Sequence, residues 1–122
     1  TYRVYDYDRL TDGKPRQLHV DQSIDVITVP AKSAAESVMH AQDLPQNQMN
    51  LLISCDYYKV WKLDVTDQVT FEQEYPFLIM SVTEGEGLMN GQMIQKGDHF
   101  ILPCGYGMVE LQGEMQMIVS SV

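Results

Sequence analysis

The sequence predicts an all-β domain built as a small antiparallel barrel or jelly roll. Three turn signals lie close together between residues 81 and 106: Gly85 with Gly87, Asn90-Gly91, and Lys96-Gly97-Asp98. Asn-Gly is a strong hairpin signal, because both central positions of a type I′ turn need a positive φ. Turns at this spacing leave room only for short strands, which is typical of a barrel or jelly roll.

The strand pattern becomes regular from Leu51 onward. Eight or nine short apolar or alternating segments are expected as strands: 51–54, 57–65, 69–74, 77–82, 88–89, 92–94, 99–102, 107–111 and 115–121. Phe77–Val82 is apolar on both faces, so it is expected to be central and buried. Gly113 is expected to form the turn between the last two strands. Methionines on these strands are expected to fill gaps in the core, the alternative being a set of thioether metal ligands.

The first fifty residues are expected to be less regular. Thr1–Arg9 is rich in Tyr and Val and predicts a strand, which a turn at residues 10–15 follows. Asp21–Ile27 is predicted to be a short helix, because Val20 and Ile24 share one face. Residues 31–50 lack a clear pattern, so they are predicted to be an irregular linker, with His40 on the surface.

The charge pattern limits the classes of partner. A net charge of −9 argues against nucleic acid or an anionic membrane as the main partner, and no apolar run reaches transmembrane length. Half of the eight basic residues nevertheless lie within the first sixteen positions. They form either a local anion site or a charge balance with the neighbouring aspartates.

Cys55 and Cys104 are isolated in the sequence, which favours reduced, buried thiols in a cytosolic protein over a disulfide. The chain has no initiator Met and opens on a strand-like segment, so it is expected to be a fragment or a processed chain.

A glycine and proline pattern refines the fold class. Gly97, Pro103 and Gly105 reproduce the G-x5-P-x-G core of the second motif of the cupin barrels. In metal-binding cupins a His follows that last Gly by three positions, but this chain has Met108 there. No His occurs between His40 and His99, so the partner motif also lacks its ligands. We therefore expect a metal-free cupin barrel.

Longer segments resemble the class I mannose-6-phosphate isomerases of bacteria. Thr1–Arg9 resembles the segment that closes the catalytic barrel of that family. Further stretches resemble the region after it and the second, metal-free cupin: 16–19, 23–27, 55–60, 84–87 and 96–103. The resemblance implies interconversion of mannose 6-phosphate and fructose 6-phosphate by a cytoplasmic, zinc-dependent enzyme of carbohydrate metabolism. It also implies that Arg3 lines the active site as a catalytic residue.

The resemblance implies a domain organisation as well. Residues 1–16 would be the last strand and turn of a preceding catalytic cupin, 17–50 a short helix and linker, and 51–122 the C-terminal barrel. The family's zinc ligands precede this segment, so no zinc is expected to bind this chain alone. Its partners would be the N-terminal catalytic cupin region and, in the full-length enzyme, the sugar phosphate. The alternative is a free-standing metal-free cupin that acts as a sugar-binding or structural module.

Overall fold

The computed structural model describes all 122 residues, which divide into two compact units, Thr1–Val38 and Met39–Val122. The first unit contains two very short strands and two short helices. The second contains the β domain. Neither helix is long and apolar enough to cross a membrane.

The first unit is organised by tight turns. Strands β1 (Leu10–Thr11) and β2 (Lys14–Pro15) pair across a turn in which Asp12 and Gly13 both have positive φ. Helix α1 (Val20–Val26) confirms the predicted short helix. Helix α2 (Ala34–Ser37) lies in the region predicted to be irregular, and a capping box between Ser33 and Glu36 begins it. Ser23 is the sole buried residue of this unit, which therefore has no apolar core of its own.

The strand predicted over Thr1–Arg9 is wrong, because these residues form no strand in the structure. Tyr7 and Asp8 have φ values of 52° and 54°, and the Arg9 amide donates to the Asp6 carbonyl at 3.0 Å. This reverse turn breaks the extended conformation. A strand also needs a neighbour to satisfy its backbone groups, and no other segment of the chain forms a ladder with these residues.

The second unit is one antiparallel sheet of seven strands. They are β3 (Met49–Ser54), β4 (Lys59–Val65), β5 (Gln68–Gln73), β6 (Phe77–Met89), β7 (Gln92–Gln95), β8 (His99–Pro103) and β9 (Gly107–Ser121). The long strands β6 and β9 pair with each other along most of their length. On the outer side of β9, β4 pairs with its second half and β5 with its first half. On the outer side of β6, β8 pairs with its first half and β7 with its second half.

These pairings produce two halves that share the β6–β9 pair. One half has the order β3-β4-β9-β6-β8 and the other the order β5-β9-β6-β7. Apolar side chains from both halves form a single buried cluster, which includes Leu63, Leu102, Leu111 and Met117 at 0–2% exposure. The halves therefore enclose one core, which confirms the all-β jelly-roll prediction.

Two predicted turns lie inside strands instead. Gly85 and Gly87 belong to β6, and Gly113 belongs to β9. These glycines allow neighbouring strands to approach closely, since a Cβ on Gly87 would lie 2.2 Å from the Gln112 carbonyl oxygen. The Asn90-Gly91 hairpin is confirmed, with φ values of 47° and 80°.

Burial departs from the sequence-based expectation at several positions. Phe77–Val82 lies centrally as expected, but it is buried on one face only, because Ile79 is 40% exposed. The expectation of buried cysteines is wrong, since Cys55 and Cys104 are both free and exposed. Four of the strand methionines belong to the core, namely Met80, Met89, Met115 and Met117. Two others are exposed, Met93 and Met108.

Candidate functional site

Arg3, the residue implicated by sequence, is held by the segment that precedes helix α1. Its backbone amide donates to Nδ1 of His19 at 3.2 Å, and the His19 amide donates to the Arg3 carbonyl at 2.7 Å. Its Nη1 donates to the Gln17 carbonyl at 2.9 Å. Nδ1 of His19 acts as the acceptor, so a neutral His19 carries its proton on Nε2. Both the backbone and the side chain of Arg3 are thus fixed by residues 17–19.

Asp6 lies between two arginines. Nε of Arg16 donates to Oδ2 of Asp6 at 2.6 Å, and Nη2 of Arg16 donates to Oδ1, which makes a bidentate pair. Nε of Arg3 lies 3.4 Å from the same Oδ1. The hydrogen bond from Arg16 is the main cause that lowers the pKa of Asp6 below its ordinary value, with the charges of nearby arginines adding to the effect. The same hydrogen bond raises the pKa of Arg16.

The sequence left open whether the basic residues near the N-terminus form an anion site or pair with nearby aspartates, and the contacts of Asp6 answer this for two of them. Arg16 is balanced by Asp6, whereas Arg9 forms no ion pair and lies 5.8 Å from the centre of the Tyr7 ring. Two guanidinium groups share one carboxylate, so the cluster keeps a net positive charge. The side chain of Arg3 is 31% exposed, and its Nη2 has no hydrogen-bond partner in the chain. Chemically, this leaves a fixed N–H donor that can bind an anionic oxygen.

The sequence prediction names Arg3 as a site residue but does not name the groups that hold it. Asp6 is three residues from Arg3, and that spacing was visible in the sequence. The contributions of Arg16, Gln17 and His19 depend on the chain turning back after residue 9. The Asp12-Gly13 turn was the only sequence signal of this reversal.

A separate cleft of about 330 Å³ opens on the β domain. Its lining residues are mainly polar or acidic: Gln46, Asp64, Val65, Thr66, Glu84, Gly85, Glu114, Met115 and Gln116. Nζ of Lys62 binds Oδ2 of Asp64 at 2.7 Å, while the buried Oδ1 has no hydrogen-bond partner. The exposed side chains of Glu114 and Gln116 in this lining can accept hydrogen bonds from hydroxyl groups.

The side chains of this chain do not fit a zinc site. No three His, Cys, Asp or Glu side chains converge in a way that could hold a metal ion. Nδ1 of His19 is taken by the Arg3 amide, and Nδ1 of His99 lies 2.8 Å from the Ser81 hydroxyl. Met108, at the position where metal-binding cupins carry a His, is 56% exposed on β9. A transition metal requires several converging ligands, which these residues do not provide.

Four further titratable residues belong to the second unit, namely His40, Glu84, Asp98 and Cys104. Glu84 pairs with Lys96 at 2.9 Å on the surface of the β domain. Oδ2 of Asp98 accepts from the Gln95 amide at 2.9 Å and so closes the turn before β8. Cys104 is exposed on the turn after β8, and His40 is exposed in the first part of the second unit.

The two-halved barrel and the glycine–proline turn after β8 define a protein of the cupin class. A cupin-2 domain protein from Shewanella frigidimarina superposes with a TM-score of 0.51 at 15% identity, covering 82% of this chain and 97% of that chain. This likeness concerns the fold alone.

The family follows from the sequence of the barrel. Residues 47–122 match the family model of the mannose-6-phosphate isomerase cupin domain, and the chain belongs to that family. Mannose-6-phosphate isomerase ManA of Bacillus subtilis is 42% identical over 98% of this chain and 39% of its own length. A crystal structure of the Bacillus subtilis mannose 6-phosphate isomerase superposes with a TM-score of 0.68 at 33% identity, covering 99% of this chain and 40% of that chain. The chain thus spans about two fifths of the length of the curated relatives it matches.

Proposed function

We propose that this chain is part of a mannose-6-phosphate isomerase that interconverts mannose 6-phosphate and fructose 6-phosphate. The observation that carries the proposal is the 42% identity to a named isomerase over 98% of the chain. That similarity extends beyond the barrel matched by the family model and into the segment that contains Arg3. The apolar residues exposed on the first unit, such as Tyr5 and Ile24, fit a segment that packs against further polypeptide.

In the proposed enzyme Arg3 is the catalytic residue that this chain supplies. The reaction moves the proton on C2 of the aldose to C1, while the hydroxyl proton on O2 moves to O1. Negative charge develops on the enediol oxygens between these transfers. A guanidinium group that is already fixed in place lowers the energy of that charge without reorganising. The unpartnered Nη2 of Arg3 supports this role.

Zinc, which the family resemblance implies, would be held by side chains outside residues 1–122. We propose that residues 1–16 complete a preceding catalytic cupin, that residues 17–50 connect the domains, and that residues 51–122 form the metal-free barrel. The preceding cupin region and the sugar phosphate are the partners. Two unpaired, exposed cysteines support a reducing, cytoplasmic location.

The test is to substitute Arg3→Ala in the full-length enzyme. The expected result is a loss in kcat/KM of about 10²–10³, the range measured for removal of one donor to a developing oxyanion. Zinc content, measured by mass spectrometry of the metal, should not change. Lys14→Ala is the matched control, because it removes a positive charge from the same unit at an exposed residue without an ion pair. An Arg3→Ala enzyme with the same kcat/KM as the Lys14→Ala enzyme would refute the role of Arg3.

The second candidate is a free-standing cupin that binds a sugar. The mainly polar lining of the cleft on the β domain favours it. Titration of the 122-residue chain with mannose, followed by amide chemical shifts at Asp64 and Thr66, distinguishes the two. Saturable shifts confined to the cleft support the binding module. The sequence of the gene upstream of Thr1 gives an independent answer, since a preceding region with clustered His and Glu supports the isomerase.

A further inference from the structure

We infer that Asp6 is a positioning residue for Arg3: its carboxylate, anchored by Arg16, fixes the Arg3 guanidinium so that one edge stays free for an anionic oxygen of the substrate. The inference rests on the proposed function of Arg3. It assigns a role to two residues that make no contact with substrate in this scheme.

Three hydrogen bonds and one ion-pair contact, the latter from Nε to Asp6, involve every polar atom of Arg3 but one. The backbone amide and carbonyl are bound by His19, and Nη1 is bound by the Gln17 carbonyl. Nε faces Oδ1 of Asp6 at 3.4 Å. Only Nη2 has no partner. Because a guanidinium group is planar, contacts at Nε and Nη1 fix the direction in which Nη2 points.

The anchor of Asp6 is independent of Arg3. Arg16 holds both carboxylate oxygens of Asp6 through the bidentate pair, whose fork geometry restricts rotation of the carboxylate. The Asp6 side chain is 13% exposed, less than those of Arg3 at 31% and Arg16 at 36%. The carboxylate is therefore the most enclosed group of the three, as expected for the fixed point of the cluster.

Asp6 interacts more strongly with Arg16 than with Arg3, so the positive charge of Arg3 is only partly neutralised. Arg16 makes the two short hydrogen bonds, whereas Arg3 makes a single, longer contact. A carboxylate paired mainly with Arg3 would compete with an anionic substrate for the same donors. With Arg16 as its principal partner, Asp6 orients Arg3 and leaves most of the Arg3 charge for the substrate.

A double-mutant cycle in the full-length enzyme tests the inference. Asp6→Asn is made in the wild-type and in the Arg3→Ala background, and kcat and KM for mannose 6-phosphate are measured separately. In the wild-type background we expect kcat to fall about tenfold or more, with KM changed less than about threefold, because orientation acts on the transition state. In the Arg3→Ala background the same substitution should change kcat by less than about twofold.

Two results would overturn the inference. An Asp6→Asn enzyme with wild-type kcat would do so, as would an equal fractional loss of kcat in both backgrounds, because Asp6 would then act independently of Arg3. If Arg3→Ala itself leaves kcat/KM unchanged, the proposed role of Arg3 fails first, and the two failures are thereby distinguished. Asp8→Asn is the matched control, since Asp8 forms no ion pair and Asn tolerates its positive φ of 54°.

A second variant covers the case in which Asp6→Asn does not fold. Arg16→Lys keeps the positive charge but loses the planar fork that holds both oxygens of Asp6. Its thermal midpoint is compared with that of the wild type to establish that the enzyme is folded. We expect the folded variant to lose kcat about tenfold while KM changes less than threefold. Unchanged kcat in the folded Arg16→Lys enzyme would contradict the inference.

Discussion

Gly87 and Gly113 lie directly opposite each other in the β6–β9 ladder, on the same face of the strands as the buried Met89, Leu111 and Met115. A Cβ on Gly113 would lie 2.8 Å from the Glu86 carbonyl oxygen and 2.8 Å from Cα of Gly87. The two long strands approach each other at this point more closely than a side chain allows. The pair lies where the partner of β9 changes from β5 to β4, which is the boundary between the two halves of the barrel.

Gly113→Ala is expected to lower the free energy of unfolding by at least about 2 kcal/mol, because it combines a positive φ of 123° with a backbone clash. Chemical denaturation measures the change. Gly91→Ala is the control, since Gly91 also has positive φ but nothing within 4 Å of the added Cβ. Its expected cost is about 1 kcal/mol. Equal costs for the two variants would mean that close approach is not what requires Gly113.

Leu111→Ala is expected to destabilise the barrel by about 2–5 kcal/mol, because Leu111 is fully buried in the core shared by both halves. Leu51→Ala removes the same atoms from a side chain that is 54% exposed, so it should cost much less. Thermal and urea unfolding of the two variants give the comparison. Similar losses for the two variants would show that burial of Leu111 in the core is not what stabilises the barrel.

Gln73 is a buried amide that joins β5 to the end of β8. Its Nε2 donates to the carbonyls of Tyr75, Leu102 and Pro103, and its Oε1 accepts from the Tyr75 amide. Gln73→Met keeps the length of the side chain but leaves these groups unpaired, at an expected cost of about 1–3 kcal/mol. Gln68→Met, on the exposed start of β5, should change stability by less than about 0.5 kcal/mol. A neutral Gln73→Met variant would refute the structural role of this amide.

The ion pair of Asp6 with Arg16 gives a pH dependence with a definite sign. The pKa of Asp6 in the folded chain is lowered from its ordinary value of 3.8, chiefly by the Arg16 hydrogen bond. The interaction is therefore fully present above that ordinary value and is lost as the pH falls through the lowered pKa. Carboxyl-carbon NMR titration should give a midpoint below 3.8 for Asp6. Arg16→Gln should move it upward, and an unchanged midpoint would exclude Arg16 as the cause.

The sequence was sufficient to predict the barrel, because its informative features are local. The Asn90-Gly91 turn needs two positive φ values, and the motif from Gly97 to Gly105 marks the start and end of β8. The alternating segment predicted as a strand over 57–65 contains β4, in which Trp61, Leu63 and Val65 are buried. Each of these features depends on residues close together in the chain.

The remaining differences arise from contacts that are distant in the sequence. The turns predicted at Gly85 and Gly113 are wrong, because a turn and a close strand approach have the same local sequence signature and differ only in the partner strand. Thr1–Arg9 has the composition of a strand but finds no strand partner in this chain. Around Arg3, the holding groups come from 3 to 16 residues away, through a reversal that the composition does not reveal.

The central proposal is that residues 1–122 supply Arg3 to an isomerase whose zinc ligands lie outside these bounds, so that turnover requires side chains beyond this chain. The most direct measurement compares the isolated chain with the full-length enzyme for conversion of mannose 6-phosphate, each at saturating zinc. We expect turnover from the full-length enzyme only, together with no tightly bound zinc on the isolated chain. Turnover by the isolated chain at zinc saturation would contradict the account.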